Sequence, residues 1–406
     1  MARVCVIRHG FFPLDTRVRR EVHALAAAEH EVDVICVRRP GEPRRERFGR
    51  VTVRRLSLPL TRCEGRARYL LQYAIFGLAA AVVVAALHCR RRFEVVQVNS
   101  MPDALVFAAA VPRLLGARVL LDLHECMPEF FQVKYGVAAG HPAVRVLAAA
   151  EQASIRFCDR VITCTEQMRE TFVARGAPRD KIAVVLNSSD EAIFDVKRHP
   201  PAPRRPDRFA LICHGAIEES YGLDTVLRAA ALLRGEIPGL RVAIFGEGTY
   251  RPELERLVGR LGLDRSVHFS DGFVPIEQLV AAIADADAGV VALRRNAFRD
   301  LTHCNKMFDF IAMRRPALVS RTRSVEAYFD DSCFAMFESG NEHDLARAVR
   351  ALHRDPRLGE RLARRAAEAS MPYRWTSQRR VYLAVVEELG ESAGLREEAE
   401  RWPAAA

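Results

Sequence analysis

The sequence predicts an α/β protein made of two doubly wound, Rossmann-like domains that face a cleft. The chain has 406 residues, more than the roughly 250–300 over which a single hydrophobic core keeps growing. Short β-branched runs alternate with longer helical segments, which is typical of a mostly parallel sheet with helices on both faces. The alternation stops at a proline-rich stretch and then restarts, so we expect two domains of the same class.

Six strand-like runs mark the first domain, residues 1–194. Each is rich in Val, Ile or Leu, as buried parallel strands are. In chain order they are VCVI at Val4, VDVICV at Val32, VTVRRL at Val51, FEVVQV at Phe93, RVLLDL at Arg118 and RVITC at Arg160.

The region between the two domains is predicted at residues 195–208. It contains KRHPPAPRRPDR, whose four prolines interrupt both helical and strand periodicity. The second domain is predicted at 209–375, and residues 376–406 should add a C-terminal helix, ending near Glu391, and a loose tail. The strand-like runs of the second domain are FALICHG at Phe209, RVAIFGEG at Arg241, VHFSDG at Val267, AGVVAL at Ala288 and PALVS at Pro316.

One segment of the first domain, residues 70–87, raises the question of a membrane. It is apolar except for Gln72 and has arginines on both sides. Its length is at the lower limit for a transmembrane helix, but the run is rich in alanine, and basic residues at both ends give no signal for orientation. We therefore predict a helix of the first domain that is buried or faces a membrane, rather than one that crosses it.

Composition narrows the function classes. The ten cysteines include no C-x-x-C pair, so neither a disulfide framework nor a zinc site is predicted, and the N-terminus has no signal-peptide pattern. The formal charge of +10 is spread along the chain without a recognition motif for nucleic acid, so we predict no nucleic-acid partner. A cytoplasmic protein is expected, with membrane association on the cytosolic face left open.

Two turns that follow strands carry the candidate chemistry. Gly246-Glu247-Gly248 would let the backbone approach a ligand, although such a pair is common in α/β proteins. In HCNKMFDFIAMRRPALVS, Asn305 and Lys306 open a helix and Asp309 lies one turn on, so Lys306 and Asp309 share a face. Lysine at a helix N-terminus suits phosphate and the aspartate suits ribose hydroxyls. The alternative is an ordinary surface Lys–Asp pair.

The segment NKMFDFIAMRRPALV resembles the nucleotide-sugar motif of glycosyltransferase family 4. Further similarity extends over nearly the whole chain, in segments such as FFPLDTRVRREV, LDLHECMPE, HGAIEESYGLDTVLRA and FGEGTYRPELERL. The resemblance implies a GT-B fold and a retaining, metal-independent hexosyltransferase, with no cofactor besides its nucleotide-sugar substrate. The acceptor stays open among a polysaccharide, a lipid and a small natural product.

The resemblance also implies roles for individual residues. Asp309 would hold the ribose, with Asn305 beside it, and Lys306 would meet the diphosphate. Gly246, Glu247 and Gly248 would form the donor loop. Three groups complete the predicted site: Gly272, Phe273 and Val274 against the nucleobase; Asp15 and Arg17 in the first-domain loop; and His124 with Glu125 near the transferred sugar. Of these, His124, Lys306 and Arg17 are the predicted catalytic residues.

Three positions depart from the family pattern. Leu301 stands where many relatives have a sugar-contacting glutamate, and Ala216 and Ser220 stand where many have arginine or lysine. These differences imply an altered donor or weakened activity. They also keep two rival functions open, a non-catalytic GT-B protein that binds a nucleotide or glycan in an assembly, and a nucleotide-sugar epimerase.

Overall fold

The computed structural model describes residues 1–58 and 66–401, so Cys63 and residues 402–406 of the predicted tail lie outside the described residues. The chain forms two compact units, Met1–Leu186 with the chain from Gln378 onward, and Asn187–Ser377. Residues 187–194, placed in the first domain by the sequence analysis, therefore belong to the second unit. Phe194 explains this, because its side chain is buried in the core of that unit.

The first unit contains an eight-stranded sheet in the order β3-β4-β2-β1-β5-β6-β7-β8. Every neighbouring pair is parallel except β3 with β4. The sequence analysis missed β3, a polar edge strand of sequence RERF, and β8, which has only three residues. The strands are β1 (Arg3–Arg8), β2 (Glu31–Val37), β3 (Arg45–Phe48), β4 (Val51–Leu56), β5 (Val95–Asn99), β6 (Arg118–Leu123), β7 (Arg160–Thr163) and β8 (Ile182–Val184).

Helices connect these parallel strands, as the crossover connections of such a sheet require. A 3₁₀ segment, Asp103–Ala109, leads directly into one of them. The helices are α1 (Thr16–Ala27), α2 (Arg66–Arg91), α3 (Ala110–Leu114), α4 (Met127–Tyr135), α5 (Pro142–Phe157) and α6 (Glu166–Ala174).

Helix α2 contains the apolar segment singled out in the sequence. Phe76, Ala80 and Val84 are fully or almost fully buried against the first unit. The strands before and after it, β4 and β5, belong to the same parallel sheet. By length and composition, Leu70–Arg91 could cross a membrane, and 17% of its most apolar window is buried. The helix therefore packs on the unit with one side and leaves much of its surface exposed.

The second unit contains a fully parallel six-stranded sheet in the order β11-β10-β9-β12-β13-β14. The three-residue strand β14 was not predicted from the sequence. The strands are β9 (Phe209–His214), β10 (Leu240–Phe245), β11 (Val267–Phe269), β12 (Ala288–Val291), β13 (Ala317–Ser320) and β14 (Ala335–Phe337).

Helices cover both faces of this sheet. Successive residues of a strand point to opposite faces of the sheet. Leu211 and Ile212 of β9 are buried in different hydrophobic clusters, one on each face. Two doubly wound units are thus confirmed. The helices are α7 (Leu223–Leu233), α8 (Arg251–Leu261), α9 (Ile276–Asp285), α10 (Asn305–Ala312), α11 (Arg323–Glu326), α12 (Glu342–Arg354) and α13 (Pro356–Ala369).

The last helix, α14 (Trp375–Arg401), runs beyond Glu391, so residues 397–401 of the predicted loose tail are helical. From Gln378 onward it belongs to the first unit. The fully buried Tyr382 anchors it, with its hydroxyl donating to Gln97 Oε1 of β5 at 2.6 Å.

Candidate functional site

Helix α10 brings together the polar residues predicted to bind a donor. Met307, Phe308, Phe310 and Ile311 are its buried side. The remaining positions of the first turns carry an exposed Asn305 and the half-buried Lys306 and Asp309. Burial of the apolar residues therefore fixes the helix so that the predicted donor-binding side chains share its other side.

Lys306 is held without an acidic ion-pair partner among the described residues. Its Nζ lies 3.7 Å from the centroid of the Tyr221 ring. Gly215, at the end of β9, leaves room for it, since a Cβ there would be 2.3 Å from Lys306 Cε. Burial lowers the pKa of Lys306, while the charge of Asp309 opposes this. An anionic ligand would favour the charged ammonium in this place.

Asp309 accepts a hydrogen bond within the second unit. Ser189 Oγ donates to Asp309 Oδ1 at 2.7 Å. His214 Nε2 is 3.7 Å from Oδ2, too far for a hydrogen bond. Burial, with the charge of Lys306, lowers the pKa of His214 to about 3, so this histidine is neutral near pH 7. The carboxylate is thus oriented by Ser189 rather than by a salt bridge to His214.

Arg299 is a cation of this region that the sequence analysis missed. It lies in the loop before α10, and its Nη2 donates to Ser220 Oγ at 3.1 Å. Its guanidinium carbon is 4.5 Å from the centroid of the Tyr221 ring. No local pattern in the sequence marks Arg299, because Ser220 is 79 positions away and only the structure shows that the two residues meet.

The glycine pair after β10 makes a close contact with protein backbone. A Cβ on Gly246 would lie 2.0 Å from the Gly215 carbonyl oxygen, and one on Gly248 would lie 2.1 Å from that of Ile217. The Ile217 N–H donates to the carbonyl of Glu247 at 2.8 Å. The glycines are needed for the packing of these two loops, whereas the predicted approach to a ligand stays a prediction.

The segment predicted to meet the nucleobase follows β11. Phe273 is 70% exposed, an unusual place for a large aromatic side chain. Gly272 lies against Glu247, because a Cβ on it would be 2.3 Å from Glu247 Oε1. Val274 is half-buried. This turn therefore lies beside the glycine pair and presents an exposed aromatic ring.

In the first unit, Arg17 is buried rather than exposed on the predicted loop. It donates from Nε and Nη2 to the two oxygens of Asp122, at 2.9 and 2.8 Å, and from Nη1 to the Val185 carbonyl at 2.9 Å. Its Nε is also 3.1 Å from Glu21 Oε1. These bonds give Arg17 a structural role inside the first unit, and its predicted contact with a ligand stays a prediction.

The other loop residue, Asp15, caps helix α1. Its Oδ1 accepts from the N–H groups of Arg17 and Val18, and Oδ2 pairs with Arg8 at 2.9 Å. Burial opposes the charged form of Asp15, but Arg8, His124 and the Val18 N–H together outweigh this and the pKa is lowered. Asp15 thus has a clear structural role as an N-cap.

His124 follows β6 and is tied to the same buried carboxylate as Arg17. Its Nε2 lies 2.6 Å from Asp122 Oδ2, and its N–H donates to Ser100 Oγ at 3.0 Å. Against the cost of burial, Arg17 and His124 lower the pKa of Asp122. Burial and the Asp122 charge raise the pKa of Glu21. One ionised carboxylate therefore orients both Arg17 and His124, while Glu125 beside them is half-buried.

The three positions that depart from the family pattern carry uncharged side chains. Leu301 is 8% exposed and belongs to the apolar interior, while Ala216 is half-buried. Within the described ranges 1–58 and 66–401, no group of three or more His, Cys, Asp or Glu side chains is arranged to hold a metal ion.

Both units match known domain families. Residues 14–188 match "Glycosyl transferase 4-like domain", and residues 208–355 match "Glycosyl transferases group 1". The chain is 27% identical to glycogen synthase of Mycobacterium tuberculosis over 249 residues, which cover 59% of this chain and 58% of that protein. It thus spans less than two thirds of the length of the first curated relatives that it matches.

Solved structures share the fold at low identity. Sucrose-phosphate synthase of Thermosynechococcus elongatus gives a TM-score of 0.75 at 18% identity, over 96% of this chain and 99% of that one. Anabaena HepE, solved in complex with UDP-glucose, gives 0.70 at 13% identity, over 96% and 100% of the two chains. At these identities the likeness concerns the fold alone.

Proposed function

The chain belongs to the GT-B glycosyltransferases, and we propose that it moves a sugar from a nucleoside-diphosphate donor to an acceptor with retention of anomeric configuration. The first unit corresponds to the glycosyl transferase 4-like domain and the second to glycosyl transferases group 1. The acceptor is a polysaccharide, a lipid or a small natural product. Work on nucleotide sugars fits a cytoplasmic location.

The observation that carries the proposal is the pair Lys306 and Asp309 on one side of α10. Lys306 has no acidic ion-pair partner within the described residues, and Ser189 orients Asp309 through Oδ1 at 2.7 Å. A cation held in this way suits a diphosphate, and an oriented carboxylate suits the two hydroxyls of a ribose. UDP-glucose in the related fold of HepE agrees with such a ligand.

The chemistry follows from the charge that develops on the leaving diphosphate. Lys306 and the N–H groups at the start of α10 stabilise this charge without a metal ion, so the bond between the anomeric carbon and the diphosphate oxygen breaks. The acceptor hydroxyl forms the new bond to that carbon, and its proton passes to the leaving phosphate. We assign contact with the transferred sugar to His124, a residue of the first unit that Asp122 orients. Arg17 donates to Asp122 and to the Val185 carbonyl, so we propose that its part in this step is indirect, through the position of Asp122. Because we propose no metal ion in this step, transferase activity should survive EDTA. A loss of activity that magnesium restores would refute metal independence.

Donor binding and transfer can be tested together. Purified protein is incubated with UDP-, GDP- and ADP-sugars and a panel of acceptors, and nucleotide release and glycosylated product are measured. Lys306→Ala and Asp309→Ala should each lower kcat/KM by roughly 10- to 150-fold, since each removes a charged hydrogen bond worth about 1.5–3 kcal/mol. The exposed Lys197→Ala is the matched control. Full activity in either site variant would show that the donor does not bind at α10.

We also propose that α2 rests on the cytosolic face of an anionic membrane. Its buried side is Phe76, Ala80 and Val84, while Leu78 and Val82 on the other side are 71% and 69% exposed. The neighbouring helix α3 adds Leu114, which is 86% exposed. Exposed apolar area of this kind is unusual in a soluble domain. Exposed arginines at the C-terminal end of the helix, at 90 and 92, suit anionic lipid.

Vesicle co-sedimentation tests this contact. Wild-type protein should pellet with phosphatidylglycerol vesicles more than with phosphatidylcholine vesicles. A double variant, Leu78→Gln with Val82→Gln, should stay in the supernatant, whereas Leu232→Gln, which changes a 43% exposed leucine of the second unit, should bind as wild type does. No binding to either vesicle, together with a dimer that the double variant loses, would assign this surface to self-association instead.

A further inference from the structure

We propose that Arg299 is a second diphosphate-binding cation of this chain, beside Lys306. The inference rests on the proposed function and extends it to a residue that the family motif does not mark. It begins from two cations, Arg299 and Lys306, that both lie against the ring of Tyr221.

The guanidinium of Arg299 contacts both Ser220 and the ring of Tyr221. Arg299 Nη2 donates to Ser220 Oγ at 3.1 Å. The Tyr221 ring lies 4.5 Å from Arg299 Cζ and 3.7 Å from Lys306 Nζ. The two cations therefore gather around one aromatic ring, beside the helix that carries Asp309.

Neither of the two cations forms a salt bridge with a carboxylate among the described residues. No acidic ion-pair partner of Arg299 or Lys306 occurs within residues 1–58 and 66–401, and Arg299 Nε is buried without a hydrogen-bond partner. Other arginines of the same loop differ, since Arg294 pairs with Asp224 and Arg295 with Asp300. Two like charges held close together disfavour each other, and Arg299 contributes to the lowered pKa of Lys306. A ligand with two negative charges would relieve this repulsion.

The backbone around Arg299 is tied down, so the guanidinium is positioned before a ligand arrives. Asn296 Oδ1 accepts from the N–H groups of Phe298 at 3.1 Å and Arg299 at 2.9 Å. The hydrogen bond to Ser220 Oγ then fixes one nitrogen of the guanidinium, Nη2. Arginine offers several donors in a plane, which suits phosphate oxygens better than a single ammonium does.

Calorimetric titration of the full chain with UDP, GDP and ADP, and with the matching nucleosides, tests the assignment. For the nucleotide that binds, Arg299→Gln should weaken diphosphate binding about tenfold or more and leave the nucleoside within threefold. Restoring a charge, Ser220→Arg in the Arg299→Gln background, should recover most of the lost affinity. Arg295→Gln, in the same loop but paired with Asp300, should bind as wild type does.

The outcomes separate this inference from the proposed function. If wild type binds a nucleoside diphosphate and Arg299→Gln binds it equally well, Arg299 is a structural partner of Tyr221 and the inference is wrong. If the loss is the same for nucleoside and diphosphate, the variant has disturbed the loop and the charge assignment is also wrong. If wild type binds no nucleoside diphosphate, the proposed function and this inference both fail.

Discussion

Gly215→Ala tests the donor site without removing any polar group from it. The new Cβ would lie 2.3 Å from Lys306 Cε and 2.9 Å from Nζ, so the lysine side chain must leave its place over Tyr221. Gly215 also has φ +98°, which alanine adopts only with strain of about 1–3 kcal/mol. We expect a lower free energy of unfolding and, separately, weaker binding of a nucleoside diphosphate.

A second glycine separates these two effects. Gly116 has φ +101°, and no atom lies within 4 Å of the place that a Cβ would take, so Gly116→Ala brings similar backbone strain without any contact to Lys306. Both variants should lower the urea midpoint. Only Gly215→Ala should lose a charged contact of about 1.5–3 kcal/mol, which is roughly 10- to 150-fold in dissociation constant by calorimetry. Equal nucleotide affinity in the two variants would refute the placement of Lys306 in the donor site.

Three further predictions concern single groups. The pKa of His214 is about 3 in the folded chain, whereas the ordinary value is 6.5. Between these two values only the unfolded chain binds a proton at this histidine, so a fall in pH favours unfolding. Stability should drop by about 2 kcal/mol from pH 7 to 5 through this group, and His214→Asn should remove that part of the fall in the urea midpoint. Asp122→Asn should destabilise the first unit by about 3–5 kcal/mol, because buried Arg17 loses its bidentate partner; an unchanged midpoint would contradict the network. His124→Ala should lower kcat while the calorimetric affinity for nucleoside diphosphate stays within about twofold, and unchanged transfer would remove His124 from the mechanism.

The fold class followed from local patterns. Buried parallel strands are apolar along their whole length, so runs such as those at Val32 and Arg118 could be identified without knowledge of their neighbours. Strands β3, β8 and β14 could not, because they are short or polar and exist only through pairing with a neighbouring strand. The C-terminal helix was predicted, but its return to the first unit depends on Tyr382 reaching Gln97, 285 positions earlier in the chain.

The candidate site likewise combines a spacing that the sequence predicts with contacts that only the fold creates. Lys306 and Asp309 lie one helical turn apart, and a spacing of three residues places two side chains on one face of a helix wherever it lies. The partner of Arg17 is 105 positions away at Asp122, that of Asp309 is 120 positions away at Ser189, and that of Ser220 is 79 positions away at Arg299. Helical periodicity is a property of neighbouring residues and is readable in the chain, whereas the choice of partner for a charged side chain is made by the packing of distant segments. For this reason the buried partner of Arg17 could not be predicted, and Arg299 could be recognised only from its place beside Tyr221 and Lys306.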